Sequence, residues 1–309
     1  MDTSRKWMIG IALIAILGFS GIAYAKKHTQ QPPAVSAVAT FYPMAEFVRQ
    51  VGGNRVGVTT LTKPGAEPHD FDPTPKQLAQ IYDAKLFVYN GAGLEPWVNK
   101  ITKDLDASDV FRVDASYKVP LQHKDASDTE NDSPTDPHIW MDPVLAMKEV
   151  DNVRLGLIAV DPSHAQYYVD NAIAYTKKLE ALNTAFKKGL ANCQSKDIVT
   201  SHQAFTYLAK RYGLNAVGIA GLSPDDEPSP QKLAQVADFV KQNNVHYIFF
   251  ETLVSPKLSQ TIASETGART IAFNPLEGLT TSETKAGKNY ISVQQDNLKA
   301  LQTALGCNQ

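Results

Sequence analysis

From Val35 to Leu305 the chain alternates short apolar runs with longer stretches in which apolar residues recur every three or four positions. The runs 35–40, 55–61, 86–89 and 110–113 read as strands, and 43–51, 75–84 and 94–104 between or after them read as helices. Two helices follow, 143–160 and 162–190. The alternation then resumes, with strands at 198–200, 216–219, 247–250 and 270–273 and helices at 204–212, 230–243, 256–266 and 292–305. A strand–helix rhythm of this kind predicts parallel sheets covered by helices, an α/β fold. Glycine and proline supply the punctuation: Gly52 and Gly53 stop the first helix, and Pro75, Pro143 and Pro230 open later ones.

A chain of 309 residues exceeds the usual single-domain size, so two lobes are expected. The stretch 162–190 reads as one helix of about 28 residues, about 42 Å long, which is more than one lobe needs. Its stripe of Tyr168, Ala172, Tyr175, Leu179, Leu182 and Phe186 is the face expected to be buried. These features divide the chain into an N-terminal lobe 35–161, a linking helix 162–190 and a C-terminal lobe 191–309.

The polar residues that interrupt this pattern fall in loops. Glu67 and His69 follow the second strand in a proline-rich segment. His138 lies in a loop stiffened by Pro137 and Pro143, and His202 and Glu277 follow strands of the second lobe. In open α/β sheets ligands bind beyond the carboxyl ends of strands, so these side chains are expected to face one cleft between the lobes. Three imidazoles and a carboxylate form a donor set suited to tetrahedral Zn2+. The ligands are spaced 60 to 80 positions apart, roughly, and there is no H-E-x-x-H helix, which favours a binder over a hydrolase.

Composition narrows the class. A hydrophobic share of 43% and a charged share of 20% suit a globular protein, and a net charge of -2 leaves no basic footprint for nucleic acid. Arg5 and Lys6 precede an apolar run from Trp7 and a small-x-small pattern ending at Ala25, so residues 1–25 read as a signal peptide or an uncleaved membrane anchor. Residues 26–34 would be a tether to an extracytoplasmic or periplasmic protein. Neither cysteine lies near Ala25, so no lipid-modified cysteine is expected there. Cys193 and Cys307 suit a disulfide in such a protein.

Five segments carry a family resemblance: PGAEPHDF at 64–71, DPHIWMDP at 136–143, TSHQAF at 200–205, FFETLVSP at 249–256 and NPLEGLT at 274–280. In this order they resemble the motifs of the zinc and manganese solute-binding proteins of bacterial ABC importers. The resemblance implies two (β/α) lobes joined by one rigid helix, a metal at their interface, and delivery by a monomer to a membrane permease. His69, His138, His202 and Glu277 match the family's ligand positions, with Asn274 competing for the fourth. Manganese-type members carry glutamate at the third position, so His202 favours Zn2+ over Mn2+. Zinc-type members often carry a histidine-rich loop; here the segment 123–136 is short and acidic, with His123 alone.

Glu251 and Glu67 are candidate partners to the ligand histidines, and Glu67 also a substitute ligand. Asp70, Asp136 and Asp142 are expected to hold loops and cap helices, while His28, His164 and His246 are expected at the surface. The leading expectation is therefore a zinc-binding receptor without catalytic activity. Competing with it are a manganese receptor, a zinc hydrolase using Glu67 or Glu277 as base, and an adhesion protein on the same fold.

Overall fold

A computed structural model describes residues 33–122 and 135–308; the expected export segment, His28, most of the tether and the acidic stretch with His123 lie outside the described residues. The first sheet contains β1 (Val35–Ala39), β2 (Val56–Thr60), β3 (Leu86–Tyr89) and β4 (Phe111–Asp114), in the order β2-β1-β3-β4. The second contains β5 (Asp197–Thr200), β6 (Asn215–Gly218), β7 (Tyr247–Phe250) and β8 (Arg269–Ala272), in the order β6-β5-β7-β8. Every pairing is parallel, from Val35 opposite Val56 to Phe250 opposite Ala272. Helix-covered parallel strands are buried on both faces, which is why the central ones read as continuous apolar runs.

The helices are α1 (Tyr42–Gly52), α2 (Pro75–Tyr82), α3 (Val98–Asp106), α4 (Pro143–Val160), α5 (Ala165–Gly189) and α6 (Thr206–Tyr212). They continue with α7 (Pro230–Gln242), α8 (Lys257–Thr266), α9 (Thr281–Lys285) and α10 (Tyr290–Leu305). Their starts are chemically marked. Thr74 and Gln77 form a capping box ahead of α2, Ser229 caps α7, and Asn289 caps α10 two residues earlier than periodicity suggests. Helix α3 is shorter than its amphipathic signal, because Leu94 and Trp97 are buried in the turn ahead of it.

Helix α5 has 25 residues, about 37 Å, and the expected stripe is its buried face. It begins later than expected. Pro162–His164 forms a 3-10 turn, in which Asp161 accepts from the Tyr168 hydroxyl and lies 2.8 Å from His164 Nδ1. Near its start Asn171 donates to the carbonyl of Val51, and near its end Phe186 stacks on Tyr212. One continuous core runs from Val35 and Phe47 through Tyr175 and Leu182 to Phe273 and Leu301, so both sheets share packed side chains with this helix. Helix α4 lies so close to β4 that a Cβ on Gly156 would meet Val113 at 2.2 Å. Cys193, after α5, is disulfide-bonded to Cys307, after α10. Among the described residues no helix is long and apolar enough to cross a membrane.

Candidate metal centre

All four expected ligands come from loops at the carboxyl ends of strands. His69 follows β2, His138 lies between β4 and α4, His202 follows β5 and Glu277 follows β8. Their donor atoms lie within 4.8 Å of one another. The Oε1 of Glu277 is 3.3 Å from His69 Nε2, 3.3 Å from His138 Nε2 and 3.1 Å from His202 Nε2. His138 Nε2 is 3.2 Å from Nε2 of both other histidines. Four ligands around zinc at 2.0–2.1 Å sit about 3.3 Å apart along each tetrahedral edge, and five of the six edges here measure 3.1–3.3 Å.

The loops are built to hold that arrangement. Asp136 Oδ1 accepts the backbone N–H of His138 at 2.9 Å and lies 2.8 Å from its Nδ1, which leaves Nε2 to face the centre. Glu251, directly after β7, does the same for His202 Nδ1 at 2.7 Å. The His138 loop is clamped by residues of the second half. Tyr207 donates to the carbonyl of Asp136 and Trp140 donates to that of Pro275. Arg211 pairs with Asp142, which also caps α4 through the N–H of Val144. Leu276 takes a left-handed backbone (φ 60°) to present Glu277, and Asn274 stabilises this turn by accepting from the N–H of Leu276. The Asn274 amide donates to Thr252 and Glu283, so its side chain is committed to the loop.

Electrostatics favour a cation at the centre. Burial disfavours the His202 imidazolium, but Glu251 and Glu277 outweigh it and push its pKa well above the usual value. Burial also opposes charge on His138, where Asp136 and Glu277 again win and raise its pKa. His69 is lowered, with burial dominating over Glu277. Glu277 is held well below the carboxylate range because the three imidazoles overcome its burial. Glu67 is pushed up to about 9 by burial and then by the neighbouring Glu277. Four carboxylates around the site, Glu67, Asp136, Glu251 and Glu277, each keep one buried oxygen without a hydrogen-bond donor among the described residues. Unpaired carboxylate oxygens in so dry a place are costly, and a divalent cation would compensate them.

His138, His202 and Glu277 are fully buried, whereas the His69 side chain is 10% exposed and marks the way in. Beside it, Asp225 from the loop after β6 meets Asp70, and burial together with that neighbour pushes the Asp225 carboxyl up. Sequence reasoning treated Asp136 as a loop holder and did not pair it with His138. The signal was the acid-proline-histidine triplet, which occurs at 67–69 and again at 136–138. In both copies the acid accepts the histidine N–H.

The chain is 40% identical over 297 residues to the zinc-binding lipoprotein AdcA of Streptococcus pneumoniae, a match covering 94% of this chain and 59% of that protein. With the high-affinity zinc uptake system protein ZnuA of Bacillus subtilis it shares 41% identity over 276 residues, 87% of this chain and 86% of the relative. The crystal structure of Zn(II)-bound AdcA from Streptococcus pneumoniae superposes with a TM-score of 0.78 at 42% identity, covering 88% of this chain and 57% of that one. The chain thus spans about three-fifths of the AdcA relatives it matches. The periplasmic zinc-uptake complex component A family, ZnuA, matches residues 37–304, and the chain belongs to it.

Proposed function

We propose that this protein is an extracytoplasmic receptor that captures Zn2+ at His69, His138, His202 and Glu277 and hands it to the permease of an ABC importer, without catalysing a reaction. The observation that carries this reading is the convergence of three Nε2 atoms and one carboxylate oxygen at tetrahedral spacing, ringed by carboxylate oxygens that lack donors. Four protein donors close a tetrahedral shell, whereas a hydrolytic zinc keeps a position open for water. Manganese prefers harder, oxygen-rich and higher-coordinate sets, so the imidazoles favour zinc. The names of the relatives, a zinc-binding lipoprotein and a zinc uptake protein, support the same cargo.

The division into lobes at 35–161 and 191–309 around the helix 162–190 belongs to this reading, since each lobe supplies two ligands. The N-terminal segment would hold the receptor at, or release it from, the outer face of the membrane. Equilibrium titration of metal-stripped protein with Zn2+ and with Mn2+ tests the proposal. One zinc per chain, bound at least a hundredfold more tightly than manganese, is the expected result. A preference for manganese, or turnover of ester or peptide substrates by the zinc-loaded protein, would overturn it.

A further inference from the structure

A second cavity, of about 280 Å³, shares Glu277 with the metal centre but is lined by none of the three histidines. Its walls come from three places: Tyr42, Glu46 and Arg49 of α1, Thr60 at the end of β2 with Thr62, Lys63 and Pro64 after it, and Glu277 to Leu279 with Thr284 and Lys288 near α9. The second and third of these are tied by a backbone hydrogen bond from the N–H of Gly65 to the carbonyl of Leu279.

The lining is mixed in a way that points to a ligand. Tyr42, Pro64 and Leu279 give it apolar walls. Arg49 donates to Thr60 at 2.8 Å and forms no ion pair among the described residues, and neither does Lys63; Lys288 is paired with Asp296. Thr62 is 5% exposed, and its hydroxyl is buried with no hydrogen-bond partner among the described residues. A buried hydroxyl in that condition is uncommon and calls for a partner. Of the two acids in the wall, Glu277 is shared among three imidazoles, and Glu46 accepts from Gln50 at 3.0 Å and feels the charges of Arg49 and Lys178 without an ion pair to either among the described residues. Arg49 and Lys63 are thus the two cations of the wall that no ion pair takes up among the described residues.

We propose that this cavity binds a small organic carboxylate, its anionic end held by Arg49 and Lys63 with the Thr62 hydroxyl, and its apolar body enclosed by Tyr42, Pro64 and Leu279. A cavity of about 150 Å³ accommodates benzene, so 280 Å³ has room for a ring or short chain bearing a carboxylate. A bare oxyanion such as phosphate would leave the apolar walls uncovered. The site shares Glu277 with the metal centre as a wall but needs no metal to form.

The test uses the full chain, zinc-loaded, titrated with benzoate, acetate and inorganic phosphate while the methyl resonances of Thr62 and Leu279 are followed by NMR. Benzoate is expected to saturate one site and shift both methyls, with acetate and phosphate at least tenfold weaker. Arg49→Gln and Lys63→Gln should each weaken benzoate about tenfold, the loss of one charge-assisted hydrogen bond. Lys63 is exposed, so its variant remains informative even if Arg49→Gln fails to fold. The proposal is overturned if benzoate does not saturate, if phosphate binds as tightly as benzoate, or if Lys63→Gln binds benzoate like the parent protein.

Discussion

Glu67-Pro68-His69 and Asp136-Pro137-His138 are the same local device placed on two loops, and the two differ in what surrounds them. In each, the acid accepts the N–H of the histidine two residues on, at 3.0 Å and 2.9 Å. Asp136 is short enough to reach the Nδ1 of His138 as well, and the loop is pinned by Tyr207, Trp140 and Asn90, which donates to the carbonyl of Pro137. Glu67, one methylene longer, leans towards Glu277 instead. Among the described residues no carboxylate takes up the Nδ1 of His69, and the backbone hydrogen bond that ties its loop to the Glu277 loop is Gly65–Leu279. Three of the four donors, His138, His202 and Glu277, thus form the better-anchored base of the centre, and His69 is the ligand expected to move. Because α5 has no internal proline and shares a continuous core with both sheets, movement is expected in this loop more than at a hinge between the sheets.

Deleting ligands should expose that difference most strongly. His138→Ala and His202→Ala are expected to weaken zinc by more than about a hundredfold, beyond the range of losses for supporting residues. His69→Ala should cost less, since water can reach that position. Competition with a chromophoric chelator measures all three, and a larger loss for His69 than for His138 would break the comparison.

A smaller effect separates the two acids. Asp136→Asn should weaken zinc by about 10- to 100-fold, because the amide no longer fixes the imidazole through its negative charge. Glu67→Gln should cost less than about tenfold, since Glu67 holds a backbone N–H and no imidazole nitrogen. Equal losses would mean that the two triplets work alike.

Protons give a third contrast. Asp136, Glu251 and Glu277 raise the pKa values of His138 and His202 against their burial, so these two hold protons against zinc to higher pH than His69, which burial lowers. Affinity should therefore fall as pH drops from 8 to 6, with protons released on zinc binding. Calorimetry in buffers of different ionisation enthalpy counts them. Asp136→Asn should lower that number.

Much of this was legible in the sequence, for reasons that can be named. The strand–helix rhythm and the stripe from Tyr168 to Phe186 follow from local periodicity, and the parallel sheets follow from the rhythm. His69, His138, His202 and Glu277 were readable because each sits in a punctuated loop after a strand, where the topology of parallel sheets gathers side chains. What was not legible depends on partners distant in the chain. Nothing near Asp136 reveals Tyr207, 71 residues away, and nothing near Trp140 reveals Pro275, 135 residues away. The start of α10 at Tyr290 was misplaced because its cap, Asn289, lies among polar residues without periodicity.

The smallest expected effect tests why the fixed loop is fixed. Under it lies Glu95, fully enclosed, whose Oε1 accepts from the hydroxyl of Thr40 at 2.7 Å and the N–H of Asn90 at 2.9 Å, while Oε2 accepts from the N–H of Gly91 at 3.1 Å. Asn90 in turn carries Pro137, so the carboxyl underpins the Asp136 triplet from below. Burial raises its pKa, hydrogen bonds pull it back, and the balance is about 7 against an ordinary 4.5. Below pH 4.5 the group is protonated whether the chain is folded or not. Between 4.5 and 7 the unfolded chain ionises first, so stability falls as pH rises, by up to about 3 kcal/mol once pH passes 7. Denaturant unfolding of the metal-free protein at pH 5 and pH 8 should show this decline. Glu95→Gln, neutral throughout, should be less stable at pH 5, where it loses an acceptor for Gly91, and should decline less between the two. Glu67→Gln, whose carboxyl sits beside the movable ligand, should not improve the packing of the His138 loop. If Glu95→Gln keeps the full pH dependence of the parent protein, the fixed loop does not rest on the charge state of this carboxyl, and the clamps from Tyr207, Trp140 and Arg211 are left to hold it.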